Sequence, residues 1–173
     1  MLIERTLIIV AALGLAGVAA YSLSVPPARR HAAPGLTLYD PHGGRLSLAD
    51  MRGKVVVLNF WTTWCGVCRE EVPFLTAIHR KFAGRGLEVA AVSLDDGWDE
   101  VKTFVAERQI RYPVFLPDAQ TRRRYGDVTA VPTLILIDRN GRIAARHTGF
   151  DQDTNYTAEI AKLLAESAIP IPQ

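Results

Sequence analysis

Near the start of the chain, Leu7 to Val25 is a run of nineteen uncharged, mostly apolar residues. That is longer than the core of a usual secretion signal and just long enough to cross a bilayer as a helix. It predicts an uncleaved signal anchor over residues 1–25, although the small residues Gly17-Val18-Ala19 leave a cleavable signal open and a buried helix is the plain alternative. Arg5 on one side, against Arg29 and Arg30 on the other, specifies the orientation only weakly. From Pro26 to Pro34 there are three prolines and no apolar period, which predicts a linker over 26–35.

Beyond the linker the hydrophobic period alternates between two and about 3.6. Leu36-Thr37-Leu38 and Leu46-Ser47-Leu48 flank Asp40-Pro41-His42-Gly43-Gly44, the pattern of a hairpin at a sheet edge. Val55 to Phe60 is a continuous apolar run, as in a strand buried on both faces. A helix is predicted from about Cys65 to Phe82, with Phe74, Leu75, Ile78 and Phe82 on its apolar face, Pro73 kinking it, and Gly84 and Gly86 ending it. Leu87 to Leu94 reads as a second buried strand, parallel to the first through a right-handed crossover. There follow a helix over about Trp98–Arg108, a strand over Pro113–Leu116, and a helical piece around Thr121–Tyr125. Strands Leu134–Asp138 and Ile143–Thr148 flank the Asn140-Gly141 turn, and a last helix over Thr154–Ser167 places Ile160, Leu163 and Leu164 on one face. No repeat or low-complexity tract interrupts the series.

At 173 residues and 49% hydrophobic composition, the chain holds one packed domain plus the apolar appendage. Its net charge of +2 gives no reason to expect nucleic acid as a partner. The candidate chemistry lies at the first strand-to-helix junction, where Trp64-Cys65-Gly66-Val67-Cys68 carries both cysteines of the chain. At the start of a helix, unpaired backbone N–H groups and the positive end of the dipole favour a Cys65 thiolate. Cys68 lies about one turn deeper, close enough to form a disulfide with Cys65 or to attack a mixed disulfide there. A structural zinc site would need more ligands, and His31, His42, His79 and His147 are scattered without ligand spacing. A purely structural disulfide would close too small a loop to constrain the unfolded chain much.

The strand, the Trp-Cys-x-x-Cys helix, the crossover strand, Val131-Pro132-Thr133 before a hairpin, and the closing helix together resemble the thioredoxin fold over residues 36–168. More narrowly, the chain resembles the TlpA/ResA-like, DsbE/CcmG-related family of membrane-anchored thioredoxins. That likeness rests on Gly53-Lys54-Val55, Asn59-Phe60-Trp61, Trp64-Cys65, Cys68-Arg69-Glu70-Glu71-Val72-Pro73, Tyr112-Pro113, and Leu136-Ile137-Asp138 with Gly141. It implies an α/β domain with a mixed central sheet flanked by helices and an added N-terminal β-hairpin, residues 169–173 forming a tail.

The resemblance also implies roles. Cys65 attacks and Cys68 resolves. Pro132 is the cis-proline facing the dithiol; an ordinary trans turn is the alternative. Val131 keeps its backbone free to pair with an extended substrate segment. Trp64 shields the thiol and meets the substrate, the alternative being a core tryptophan. Cytoplasmic thioredoxins carry a buried Asp six residues before the first cysteine, where this chain has Asn59, which cannot titrate. The acid–base role then falls to Glu71, one turn beyond Cys68, unless Glu71 is only a solvated surface carboxylate. Glu70 has no such match. Many relatives carry proline before the second cysteine; Val67 stands there instead, which leaves the redox poise open.

The expected function is reduction of disulfides in extracytoplasmic proteins, with cytochrome c maturation or copper-site proteins as substrates. A transmembrane thiol-electron donor would restore the dithiol, with no organic cofactor and no metal. The expected protein is a monomer, single-pass in the cytoplasmic membrane with its domain on the periplasmic side. A copper-delivery protein on the same fold is the alternative, and would need His147 turned toward Cys65. A peroxidase would need a cysteine before the helix, where Thr62 and Thr63 stand.

Overall fold

The computed structural model describes residues 25–126 and 128–167. Among these residues seven strands form one sheet: β1 (Thr37–Tyr39), β2 (Arg45–Ser47), β3 (Val55–Trp61), β4 (Leu87–Ser93), β5 (Val114–Pro117), β6 (Thr133–Ile137) and β7 (Ile143–Thr148). Their spatial order is β2-β1-β5-β4-β3-β6-β7. β4 is parallel to both β3 and β5, and the remaining pairs are antiparallel. Among the described residues the α-helices are α1 (Gly66–Phe82), α2 (Trp98–Glu107), α3 (Thr121–Arg124) and α4 (Tyr156–Ala165). This is the mixed, helix-flanked sheet of the thioredoxin fold. The hairpin β1–β2 extends it at the edge through Leu38 opposite Pro117 and Tyr39 opposite Leu116.

The crossovers β3-α1-β4 and β4-α2-β5 step across the sheet in the same direction. Right-handed connection therefore puts α1 and α2 on one face. Alternation along β3 then divides the core. Val55, Val57 and Trp61 pack with Val72, Leu75, Ile78 and Phe82 of α1, Phe104 of α2, and Ile160 and Leu163 of α4. Val56, Leu58 and Phe60 pack on the opposite face with Leu38, Met51, Phe115 and Tyr125. Each such side chain contributes about 1.5–3 kcal/mol by its burial. The continuous apolar character of β3 follows, because both of its faces are covered.

Helix ends differ from the expected ones by a residue or two where a side chain caps them. Cys65 is the N-cap of α1 rather than its first residue. Asn155 Oδ1 accepts from the Ala158 N–H at 3.0 Å, so α4 starts after Asn155 and not at Thr154. Pro73 lies within α1 and removes the donor that the Arg69 carbonyl would otherwise accept from.

The stretch expected as a linker over 26–35 is instead packed on the domain. Its backbone borders β7: the Val25 N–H donates to Ala144 O at 2.6 Å, the Ile143 N–H to His31 O at 2.9 Å, and the Ala33 N–H to Gly141 O at 2.9 Å. The Arg30 side chain is wholly buried, at 3.2 Å from Asp138 Oδ2 and 2.6 Å from Glu166 Oε2, and its Nε donates to Val25 O. A buried guanidinium needs carboxylate partners. Asp138 and Glu166, distant in sequence, supply them. Among the described residues no helix is long and apolar enough to cross a membrane. The anchor expected over 1–25 lies outside the described residues except for Val25, as does the tail 169–173.

Candidate active site

β3 delivers the chain to the C-terminal edge of the sheet, and α1 begins there with Cys65 as its N-cap. Cys65 and Cys68 are joined in a disulfide with their Cα atoms 5.3 Å apart. The Cys68 N–H donates to Cys65 Sγ at 3.1 Å. One of the unpaired donors at the helix start is thus aimed at the first sulfur, which favours its anionic form in the reduced protein.

A clamp holds the turn that carries this sulfur. Asp95, just past β4, accepts from the Thr63 N–H at 3.0 Å, from Thr63 Oγ1 at 2.8 Å and from Ser93 Oγ at 2.6 Å. Arg69 donates to the Thr63 carbonyl through Nε at 3.3 Å and Nη2 at 3.0 Å. Sequence reasoning missed Asp95, because nothing local links it to a residue 32 positions earlier. Trp64, on the clamped turn, is 73% exposed. It is therefore not a core residue, whereas Trp61 is buried against Phe104 with ring centroids 5.0 Å apart.

Across from the dithiol, the Val131–Pro132 peptide bond is cis. The Val131 carbonyl oxygen lies 3.7 Å from Cys65 Sγ. The Gly149 N–H donates to the Pro132 carbonyl at 2.8 Å and ties this loop to the end of β7. Cys65, Val131 and Pro132, far apart in sequence, thus share one end of the sheet, with Trp64 standing out beside them.

Beneath the sulfurs, Glu71 is 1% exposed, so it is not a solvated surface carboxylate. Its Oε2 accepts from Asn59 Nδ2 at 2.5 Å. Burial pushes the Glu71 carboxyl up to about 7, and the Asn59 bond pulls partly against that. Such a group can hold or release a proton near neutral pH. The Tyr112 phenol is pushed far up, first by burial and second by the neighbouring Glu71 charge, and stays neutral. Asn59 was set aside in the sequence because it cannot titrate. The signal was present, however: it shares a pleat face with Trp61 and so must point toward α1.

His147 Nε2 lies 2.9 Å from Glu159 Oε2, and its ring meets Tyr156 edge-on with centroids 4.9 Å apart. It is engaged with α4 rather than turned toward Cys65, as a copper site would require. Among the described residues no three His, Cys, Asp or Glu side chains gather closely enough to hold a metal ion.

Residues 30–146 match the model of the AhpC/TSA family. The chain belongs to that family. Within it, the chain groups with the ResA/DsbE-like thiol-disulfide oxidoreductases. It is 36% identical over 118 residues to the thiol-disulfide oxidoreductase ResA of Bacillus subtilis, a match covering 68% of this chain and 65% of that protein. ResA of Bacillus thuringiensis is 33% identical over 117 residues, covering 68% of each chain. Among solved structures, a candidate thiol:disulfide interchange protein DsbE of Chlorobium tepidum superposes with a TM-score of 0.72 at 35% identity, over 79% of this chain and 97% of that one. A secreted thiol-disulfide isomerase of Corynebacterium glutamicum gives 0.73 at 25% identity, over 86% and 95%.

Proposed function

We propose that this chain is a thiol:disulfide oxidoreductase that reduces disulfides in extracytoplasmic proteins. The observation that carries the reading is the capped Cys65–Cys68 pair one turn from a buried, titratable Glu71. In the reduced protein the Cys65 thiolate attacks one sulfur of the substrate disulfide. A mixed disulfide forms and the other substrate sulfur leaves as a thiolate. Glu71 takes the proton of Cys68, and the Cys68 thiolate then attacks Cys65 Sγ, releasing the second substrate sulfur. Two electrons pass to the substrate, whose two thiolates take up protons from Glu71 and from water, and the Cys65–Cys68 disulfide remains.

Trp64 supplies an apolar contact for the substrate chain, and Val131 pairs with it as an added strand beside Pro132. The direction follows from Glu71: a carboxylate close to the thiols disfavours their anionic, reduced form and so favours the disulfide. The apolar run Leu7–Val25 anchors the chain as a single-pass protein in the cytoplasmic membrane with the domain on the periplasmic side. A membrane protein passing thiol equivalents across the bilayer restores the dithiol, since that compartment is oxidising. The relatives' names, thiol-disulfide oxidoreductase and thiol:disulfide interchange protein, support disulfide substrates; within that class the reading takes proteins of cytochrome c maturation or proteins with copper sites.

Equilibration of the pair against a glutathione buffer tests the direction. A potential nearer thioredoxin's, about −270 mV, than the strong oxidant's, about −120 mV, is expected. A value above about −150 mV would assign oxidase or isomerase work instead.

A further inference from the structure

We propose that Asn59 is a positioning residue for this reaction: its side-chain amide holds the Glu71 carboxylate one turn from Cys68 and sets the pH at which that carboxyl gives up its proton. The inference rests on the reading of Glu71 as the acid–base group and extends it to a residue on another element.

Asn59 sits in β3 between Ala91 of β4 and Leu134 of β6, in the middle of the sheet. Asn59 and Glu71 are each 1% exposed, so water does not compete for the bond between them. Asn59 Nδ2 donates to Glu71 Oε2, while Asn59 Oδ1 has no donor among the described residues. In this orientation the amide turns its donor end to Glu71. An ionised carboxylate only accepts, so that end stabilises the anion, and charge-assisted bonds of this kind are the strong ones.

The other titratable groups facing Glu71 do not replace it. Tyr112 approaches from the segment before β5 and is kept neutral by burial and by Glu71 itself. Cys68, one turn before Glu71 on α1, and Cys65 at the N-cap bring negative charge when reduced and oppose ionisation of Glu71. Asn59 is thus the group that favours the carboxylate. An Asp at the same position would add a second buried carboxyl and leave two groups sharing one proton. The amide supplies a donor without a second titration, which gives position 59 a part in the chemistry although it carries no ionisable proton.

The test follows the protonated-carboxyl stretch of Glu71 by infrared difference spectroscopy across pH in the oxidised full-length protein. Glu71→Gln identifies the band by removing it. The midpoint in the unsubstituted protein is expected at about 7. Asn59→Ala should move it up by about one to two pH units, the worth of a hydrogen bond to a charged group. Asn59→Ser keeps a short donor and should move it up by less; it stands in if Asn59→Ala does not fold. In the reduced protein, the pH dependence of exchange with oxidised glutathione should shift in the same direction. A loss of packing alone would lower the melting temperature without moving either midpoint. If Glu71 titrates at the same pH in Asn59→Ala, or in Asn59→Ser where that variant stands in, the proposal is overturned while the role of Glu71 stands. If Glu71→Gln leaves the exchange profile unchanged, the acid–base reading of Glu71 fails, and the infrared midpoint still reports whether Asn59 controls its proton.

Discussion

The backbone N–H of Cys68 donates to the sulfur of Cys65 across 3.1 Å, and the relationship is one-sided. Cys65 precedes the first turn of α1 and receives a cap donor; Cys68 lies inside the helix and is 3% exposed. Once the disulfide is opened, negative charge is better accommodated on Cys65 than on Cys68. Alkylation of the reduced protein at limiting reagent should therefore label Cys65 first. In Cys68→Ser a mixed disulfide with substrate should accumulate through Cys65, because no resolving thiol remains. Trapping through Cys68 in the reciprocal variant, with none in Cys68→Ser, would reverse the assignment.

The buried Glu71 should make stability depend on pH in an unusual direction. Its carboxyl loses its proton at about 7 in the folded protein, against an ordinary value of 4.5. Between those limits the folded state keeps a proton that the unfolded chain has released. Stability is then highest below the lower value and falls as pH rises through the upper one, by about 3 kcal/mol from this group. Urea unfolding of the oxidised protein at pH 5 and pH 8 measures the fall, once the contributions of other groups are subtracted through Glu71→Gln. That variant should lose most of the difference. Equal falls in both proteins would mean that the carboxyl titrates normally.

Arg30 should matter to stability although it belongs to a stretch that reads as a linker. Its guanidinium bridges Asp138 at the end of β6 and Glu166 just after α4. Arg142 also bonds Asp138 Oδ2, through Nε at 3.1 Å, so the loss of Arg30 leaves Asp138 with one cation rather than none. Arg30→Ala should destabilise the domain by about 2–4 kcal/mol, below the full cost of an orphaned buried charge. It should also expose the chain near residue 30 to proteolysis while leaving the thiol chemistry intact. Denaturant midpoints and limited proteolysis measure both effects. A loss under about 0.5 kcal/mol would show that the segment does not hold to the domain in solution.

The elements of the fold were legible along the chain because each is set by a local period. Backbone geometry repeats every two residues in β3 and every 3.6 in α1, and the apolar positions follow it. The Asn140-Gly141 turn between β6 and β7 and the thiol spacing at the start of α1 are equally local. Glu71 was marked in part, since i+3 from Cys68 and i−4 from Leu75 set it beside the apolar face, but its burial came only with the packed sheet. What lay opposite that face was not written locally. Asn59 became the partner of Glu71 only when β3 packed beneath α1, and Asp95 reached Thr63 only because β4 ends beside β3. Arg30 looked solvated because charge and proline without a period are how a free segment reads. Its burial depended on two carboxylates, 108 and 136 positions further along the chain, meeting at one edge of the domain. The charge state of a buried group depends on desolvation and on partners brought from a distance. Local sequence therefore determined the elements and the thiols, while tertiary structure decided the protonation of Glu71 and where the domain begins.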